Sequence, residues 1–186
     1  LYAGGCPCCS LGFWHMIHTP SDDLLHLAEM VSGMLLRKNE TVATAESCTA
    51  GLVSATLTCL PGASDFFWGG IVVYAAGAKV ELAGLDPGLL ERDGTVSLAT
   101  TKALAAAIRD RSMATYGVAV TGWAGPLTGP REVVGRIFGA VADRHAVVSR
   151  RWQFDGDRDT IRVAAVAAVL NLLRQELVES GDNASV

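Results

Sequence analysis

Charge is scarce in this chain: 18% of its 186 residues are Asp, Glu, Lys or Arg, and only 6% are aromatic. Half are hydrophobic, which excludes a disordered polyelectrolyte and is enough to fill one large core. The net charge is −4, and no basic cluster exceeds the Arg150–Arg151 pair, so no nucleic-acid partner is expected. No apolar run approaches the ~20 residues of a membrane helix, and no membrane partner is expected either. The opening "LYAGGCPCCSLGFWHM" lacks the positive region that precedes the apolar stretch of a secretory signal. Cys6, Cys8 and Cys9 crowd into it as C-x-C-C, which lacks the paired spacing of a zinc site even with His15 and His18 nearby. The other two cysteines, Cys48 and Cys59, suit a reduced, cytoplasmic protein better than a disulfide scaffold.

What is present reads as alternating strands and helices. Residues 1–18 form an N-terminal extension, non-native or disordered, with Met16 a plausible start. Residues 19–180 form one domain, and 181–186 a loose tail. A helix over 19–37 is capped by Thr19 or Ser21 and carries Leu24, Leu27, Val31 and Leu35 at helical spacing. "TVATAE" is a strand, followed by a helix over "AGLVSATLTCL". "GGIVVY" is a second strand, leading into a helix over "AAGAKVELAGL". Pro87 opens a short helical turn and Ser97 caps a longer helix. "YGVAVTG" is a third strand. Two further strands flank a turn at Asp143–Arg144–His145, and a helix over 157–179 is stopped by Gly181. This pattern predicts an α/β fold, a three-layer α/β/α sandwich around a mixed, mainly parallel sheet.

Ligands of such sheets gather beyond the carboxyl ends of the strands, and three of these ends carry unusual residues, provided that their strands are neighbours. At the first, "AESCTAG", Ser47 and Thr49 sit where helix N–H groups stabilise an oxyanion or a phosphate; an ordinary helix cap fits the spacing as well. Cys48 is a competing nucleophile. At the second, Tyr74 leaves its strand and Lys79 follows five residues later. A lysine deprived of water becomes a base able to activate a serine, whereas on an exposed helix face it is only a solvated charge. The chain has three lysines against twelve arginines, and arginine cannot give up its proton. At the third, Thr121, Gly122, Ala124 and Gly125 form either a ligand-hugging loop or a tight turn, matching neither a P-loop nor a Rossmann fingerprint. Arg158, in "FDGDRDTIR", either clamps an anion or makes a surface ion pair.

As a set, "ATAESCTAG", "PGASDFFWGGIVVY", Lys79, "GTVS", "VAVTGWAGP", "VVG" and "FDGDRDTIR" resemble the CinA C-terminal domain, the nicotinamide-nucleotide amidase family, over about residues 22–178. The resemblance implies hydrolysis of nicotinamide mononucleotide to nicotinate mononucleotide and ammonia, without metal or organic cofactor. It implies Ser47 as nucleophile, and Tyr74 and Lys79 as its activating pair. Substrate contacts would come from Glu46, Cys48, Thr49, Thr121, Gly122, Ala124, Gly125 and Arg158, with a pyridine nucleotide as small-molecule partner. A homodimer is compatible with the sequence. The chain departs from the family pattern at "CTAG", where C-T-G-G is usual, at "YAAGAK", where Y-S-N-E-A-K is usual, and at "EVVG", where K-P-V-G is usual. These departures also suit a weakly active or inactive nucleotide-binding module.

Overall fold

The computed structural model describes residues 20–126, 129 and 133–182. The expected N-terminal extension, most of the tail, and Arg131 and Glu132 lie outside them. Helix α1 (Asp22–Lys38) starts where the Ser21 hydroxyl accepts the Leu24 N–H, with Asp22 and Asp23 at its positive end. Strand β1 (Val42–Glu46), helix α2 (Leu52–Thr58), strand β2 (Phe67–Val72) and helix α3 (Ala76–Glu81) follow. Next come α4 (Pro87–Asp93), α5 (Leu98–Ser112), β3 (Tyr116–Gly122), β4 (Arg136–Ala142), β5 (Val147–Gln153) and α6 (Arg158–Asp182). Helix α6 runs through Gly181 rather than stopping there.

The strands lie in the order β2-β1-β3-β4-β5. β1 pairs in parallel with both β2 and β3, while β3–β4 and β4–β5 are antiparallel. The sheet is therefore mixed as expected but evenly divided, not mainly parallel: the tight turn between β4 and β5 makes that ladder antiparallel, and the connection over 123–135, with no helix among its described residues, returns β4 antiparallel to β3. Helices cover both faces, which makes the sandwich. Val42, Val118, Val120, Ile137 and Val141 meet α1, α2 and α6 in one core. Ala43, Ala45, Ala119, Ala140 and Ala142 meet Leu104, Ala105 and Ile108 of α5 in the other. Alternation along β1, β3 and β4 thus sorts branched residues to one face and alanines to the other, and the thin alanine face lets α5 approach closely. A methyl on Gly117 would lie 2.1 Å from the Ala105 carbonyl oxygen.

The topology makes β1 the centre of a parallel trio, so the ends of β1, β2 and β3 emerge side by side. Ser47, the Tyr74–Lys79 segment and the Thr121–Gly125 segment each follow one of them. Among the described residues no helix is long and apolar enough to cross a membrane.

Candidate active site

Ser47 leaves β1 with its N–H bonded to the Val120 carbonyl of β3 at 3.0 Å, and Val73 donates to the Glu46 carbonyl at 2.7 Å. These bonds seat the serine between its two neighbouring strands. Its hydroxyl caps no helix. The N-cap of α2 is Gly51, and the Glu46 carboxylate does the capping, accepting the N–H groups of Gly51, Val53 and Ser54 and the Ser54 hydroxyl at 2.6–3.0 Å. The expectation of free helix N–H groups beside Ser47 is corrected here, because a carboxylate fixed at the helix start consumes them. Among the described residues, the Cys48 and Thr49 N–H groups are those of this turn that no oxygen takes; both lie beside the Cys48 sulfur.

Lys79, on α3, is 1% exposed. Its amine lies 3.3 Å from Ser47 Oγ, 2.8 Å from the Val73 carbonyl and 3.4 Å from the Tyr74 carbonyl. No carboxylate pairs with it among the described residues, and burial holds it below the ordinary lysine range. A neutral amine has two hydrogens and one lone pair. In that form the two carbonyls would receive the hydrogens and the lone pair would face the serine hydroxyl. The surface-lysine alternative is excluded by its burial.

Tyr74 is placed differently from the sequence expectation. β2 ends at Val72, so Tyr74 stands beyond the strand, 55% exposed. Its phenol accepts from Arg158 at 2.7 Å, and Arg158 also donates to the Gly125 carbonyl at 2.6 Å. The tyrosine reaches the lysine through its backbone carbonyl alone, while its ring ties the end of β2 to α6 and to the loop after β3. Among the described residues Arg158 bonds to no carboxylate.

Cys48 is buried, and burial pushes its thiol up to about 12, so at neutral pH it is a protonated core residue and not a nucleophile. The Thr49 hydroxyl is fully buried and has no hydrogen-bond partner among the described residues. Thr121 is also buried, and its hydroxyl is 2.7 Å from that of Thr101, which donates to the Ser97 carbonyl. It anchors the start of α5 instead of facing outward. Gly122 pairs with Ile137, and Ala124 is buried. Gly125 takes φ +82 against the Val134 side chain, which is a turn requirement.

Sequence reasoning passed over Arg162. It donates from Nε to the Cys48 carbonyl at 3.2 Å and from Nη2 to the Thr49 carbonyl at 3.1 Å. The available signal was its place four residues after Arg158, on the same face of α6. Cavities of about 130 and 730 Å³ lie elsewhere: one between α1, α2 and α6, the other around Tyr116, Asp143 and Ser180 at the opposite end of the sheet.

The family model of the CinA C-terminal domain matches residues 24–177. The chain belongs to the CinA C-terminal domain family. A CinA-like protein of Frankia casuarinae is 40% identical over 176 residues, which cover 90% of this chain and 40% of that protein. One of Myxococcus xanthus is 42% identical over 154 residues, with 81% and 36% covered. The chain thus spans about two fifths of the length of these relatives. The competence damage-inducible protein A of Klebsiella pneumoniae superposes with a TM-score of 0.81 at 28% identity, covering 83% of this chain and 97% of that one. The competence/damage-inducible protein CihA of Agrobacterium tumefaciens gives 0.78 at 34% identity, with 81% and 93% covered. The half-parallel sheet is therefore read as the CinA fold, with Ser47 at the end of β1, the middle strand of its parallel trio.

Proposed function

We propose that this CinA domain is an amidohydrolase that converts nicotinamide mononucleotide to nicotinate mononucleotide and ammonia. The observation that carries the reading is the buried Lys79 amine, without a carboxylate partner, 3.3 Å from Ser47 Oγ. In this reading Ser47 Oγ bonds to the carboxamide carbon while its proton passes to Lys79. Lys79 then returns the proton to the departing nitrogen, which leaves as ammonia. Water cleaves the resulting ester and regenerates the hydroxyl. The pyridinium ring withdraws electrons and makes its own carboxamide easier to attack. Cytoplasmic placement belongs to this reading, resting on two free cysteines, Cys48 and Cys59.

The test is ammonia release from nicotinamide mononucleotide by the wild type, Ser47→Ala and Lys79→Ala. Both variants should lose roughly 10³-fold or more in kcat. Turnover surviving in Ser47→Ala rejects the assignment. A second reading, a nucleotide-binding module without turnover, is favoured by the Tyr74 phenol lying on Arg158 instead of on Ser47 or Lys79. Calorimetric binding of the nucleotide by the wild type, with no ammonia formed, selects that reading.

A further inference from the structure

We infer that Arg162 is a positioning residue for the Ser47 nucleophile; the inference rests on the reading above in taking Ser47 as the attacking group. Arg162 belongs to α6, far from Ser47 in sequence, yet its guanidinium is bonded to the carbonyls of the two residues that follow the serine. Its side chain is 19% exposed, and its third nitrogen meets Asp159, an exposed carboxylate, at 3.3 Å. A planar, permanently charged fork suits two carbonyls converging from one turn; a lysine has a single nitrogen to offer them.

The same turn is gripped from its other side. The Glu46 carboxylate takes the N–H groups of Gly51, Val53 and Ser54, while Arg162 takes the carbonyls of Cys48 and Thr49. Donors thus face a fixed anion and acceptors a fixed cation. Between the two grips the backbone takes φ 51 at Ala50 and φ 97 at Gly51. An alanine resists that conformation and keeps it only where its surroundings impose it. Among the described residues Lys79 alone anchors the Ser47 side chain, and the 3.3 Å contact between them is already long for a hydrogen bond. Without Arg162 the Thr49 carbonyl keeps the Leu52 N–H at 3.2 Å, whereas the Cys48 carbonyl has no other partner among the described residues, so the Cys48–Thr49 peptide plane that adjoins the nucleophile is free to turn. That plane shares the Cys48 Cα with the peptide that follows Ser47, so its turning is passed to the serine.

The experiment measures labelling of Ser47 by a fluorophosphonate, which reads the nucleophile whatever the substrate. Ser47 Oγ forms the bond to phosphorus, fluoride leaves with its electron pair, and Lys79 accepts the proton. Arg162→Ala should slow labelling by about 10²-fold, the cost of a misplacement near 1 Å. Ammonia release should lose kcat by a similar factor, with KM little changed. Arg162→Lys should fall between this variant and the wild type. Added guanidinium should restore the rate of Arg162→Ala and leave Ser47→Ala unlabelled, a response that a purely structural tie does not give. Thermal unfolding identifies the folded variants, and Arg162→Lys decides the matter if Arg162→Ala does not fold. Labelling at the wild-type rate in a folded variant overturns the inference, as does a wild type that does not label at Ser47. A wild type that labels at Ser47 but releases no ammonia instead counts against the amidase reading alone.

Discussion

A lysine sealed from water and denied a carboxylate relieves its burial by giving up its proton, and the lone pair this leaves on Lys79 is what accepts the proton that Ser47 must discard. The two demands coincide, so the pH dependence of the reaction follows from one side chain. Burial lowers the Lys79 pKa from its ordinary 10.5. The active form is the deprotonated one, so kcat/KM should climb along a limb whose midpoint lies below pH 10.5 and level off above it. A pH–rate profile checks this; a profile that falls across that range contradicts the assignment of Lys79 as base. Ala50 offers a second test at this scale. The residue, which stands where the family pattern has glycine, is exposed, and its cost is conformational, at φ 51. Ala50→Gly should stabilise the fold by about 0.5–1 kcal/mol, after subtraction of the extra freedom of glycine in the unfolded chain. In a domain of this size that raises the melting temperature by roughly 1–4 °C. An unchanged or lower melting temperature would show that the turn carries no strain there.

Elements were legible where one periodicity dominated. The runs of β1, β3 and the β4–β5 hairpin and the spacing in α1 and α5 needed no tertiary information, and Ser97 caps α5 as read. The misreadings share a cause, which is that a distant group decides. Helix α2 was expected from Ala50, but Glu46 reaches across the turn and starts the helix at Leu52. β2 was expected to carry Tyr74, yet its pairing with β1 begins at Phe67 and runs only to Val72. The phenol then meets Arg158, 84 positions away, a contact no local pattern reports. Motif residues also proved to serve the fold. Gly135 of "VVG" takes φ +83, where a methyl would lie 1.8 Å from the Phe154 carbonyl oxygen. Close helix–sheet approach yields the prediction at this scale. Gly117→Ala drives a methyl into the backbone of α5 at Ala105 and should destabilise by about 1–3 kcal/mol, as overpacking does. Urea unfolding measures it, and a wild-type midpoint would mean that α5 does not rest on the sheet as closely as described.

Across the whole molecule, one site at the centre of the sheet holds two buried titratable groups whose linkages run in opposite directions. The neighbouring order of β2, β1 and β3 that brings them together was a premise of the sequence reading, and the topology supplies it. Lys79 has a folded pKa below its unfolded 10.5. Between those values the unfolded chain holds a proton that the folded chain lacks, so stability rises with pH there and is lost as pH falls through the folded value. Cys48 is the reverse, 9.0 unfolded and about 12 folded. Its contribution is complete below pH 9.0 and is lost as pH climbs toward 12, because the unfolded chain sheds a proton that the folded chain keeps. Urea unfolding from neutral to alkaline pH should therefore show the wild type gaining on Lys79→Met as pH rises toward 10.5. Above pH 9.0 the wild type should lose ground to Cys48→Ala. Loss of packing in either variant adds an offset that does not vary with pH, so only the slopes carry the test. Curves that stay parallel for Lys79→Met would mean that its amine keeps its ordinary proton affinity in the fold, which removes the base from the site.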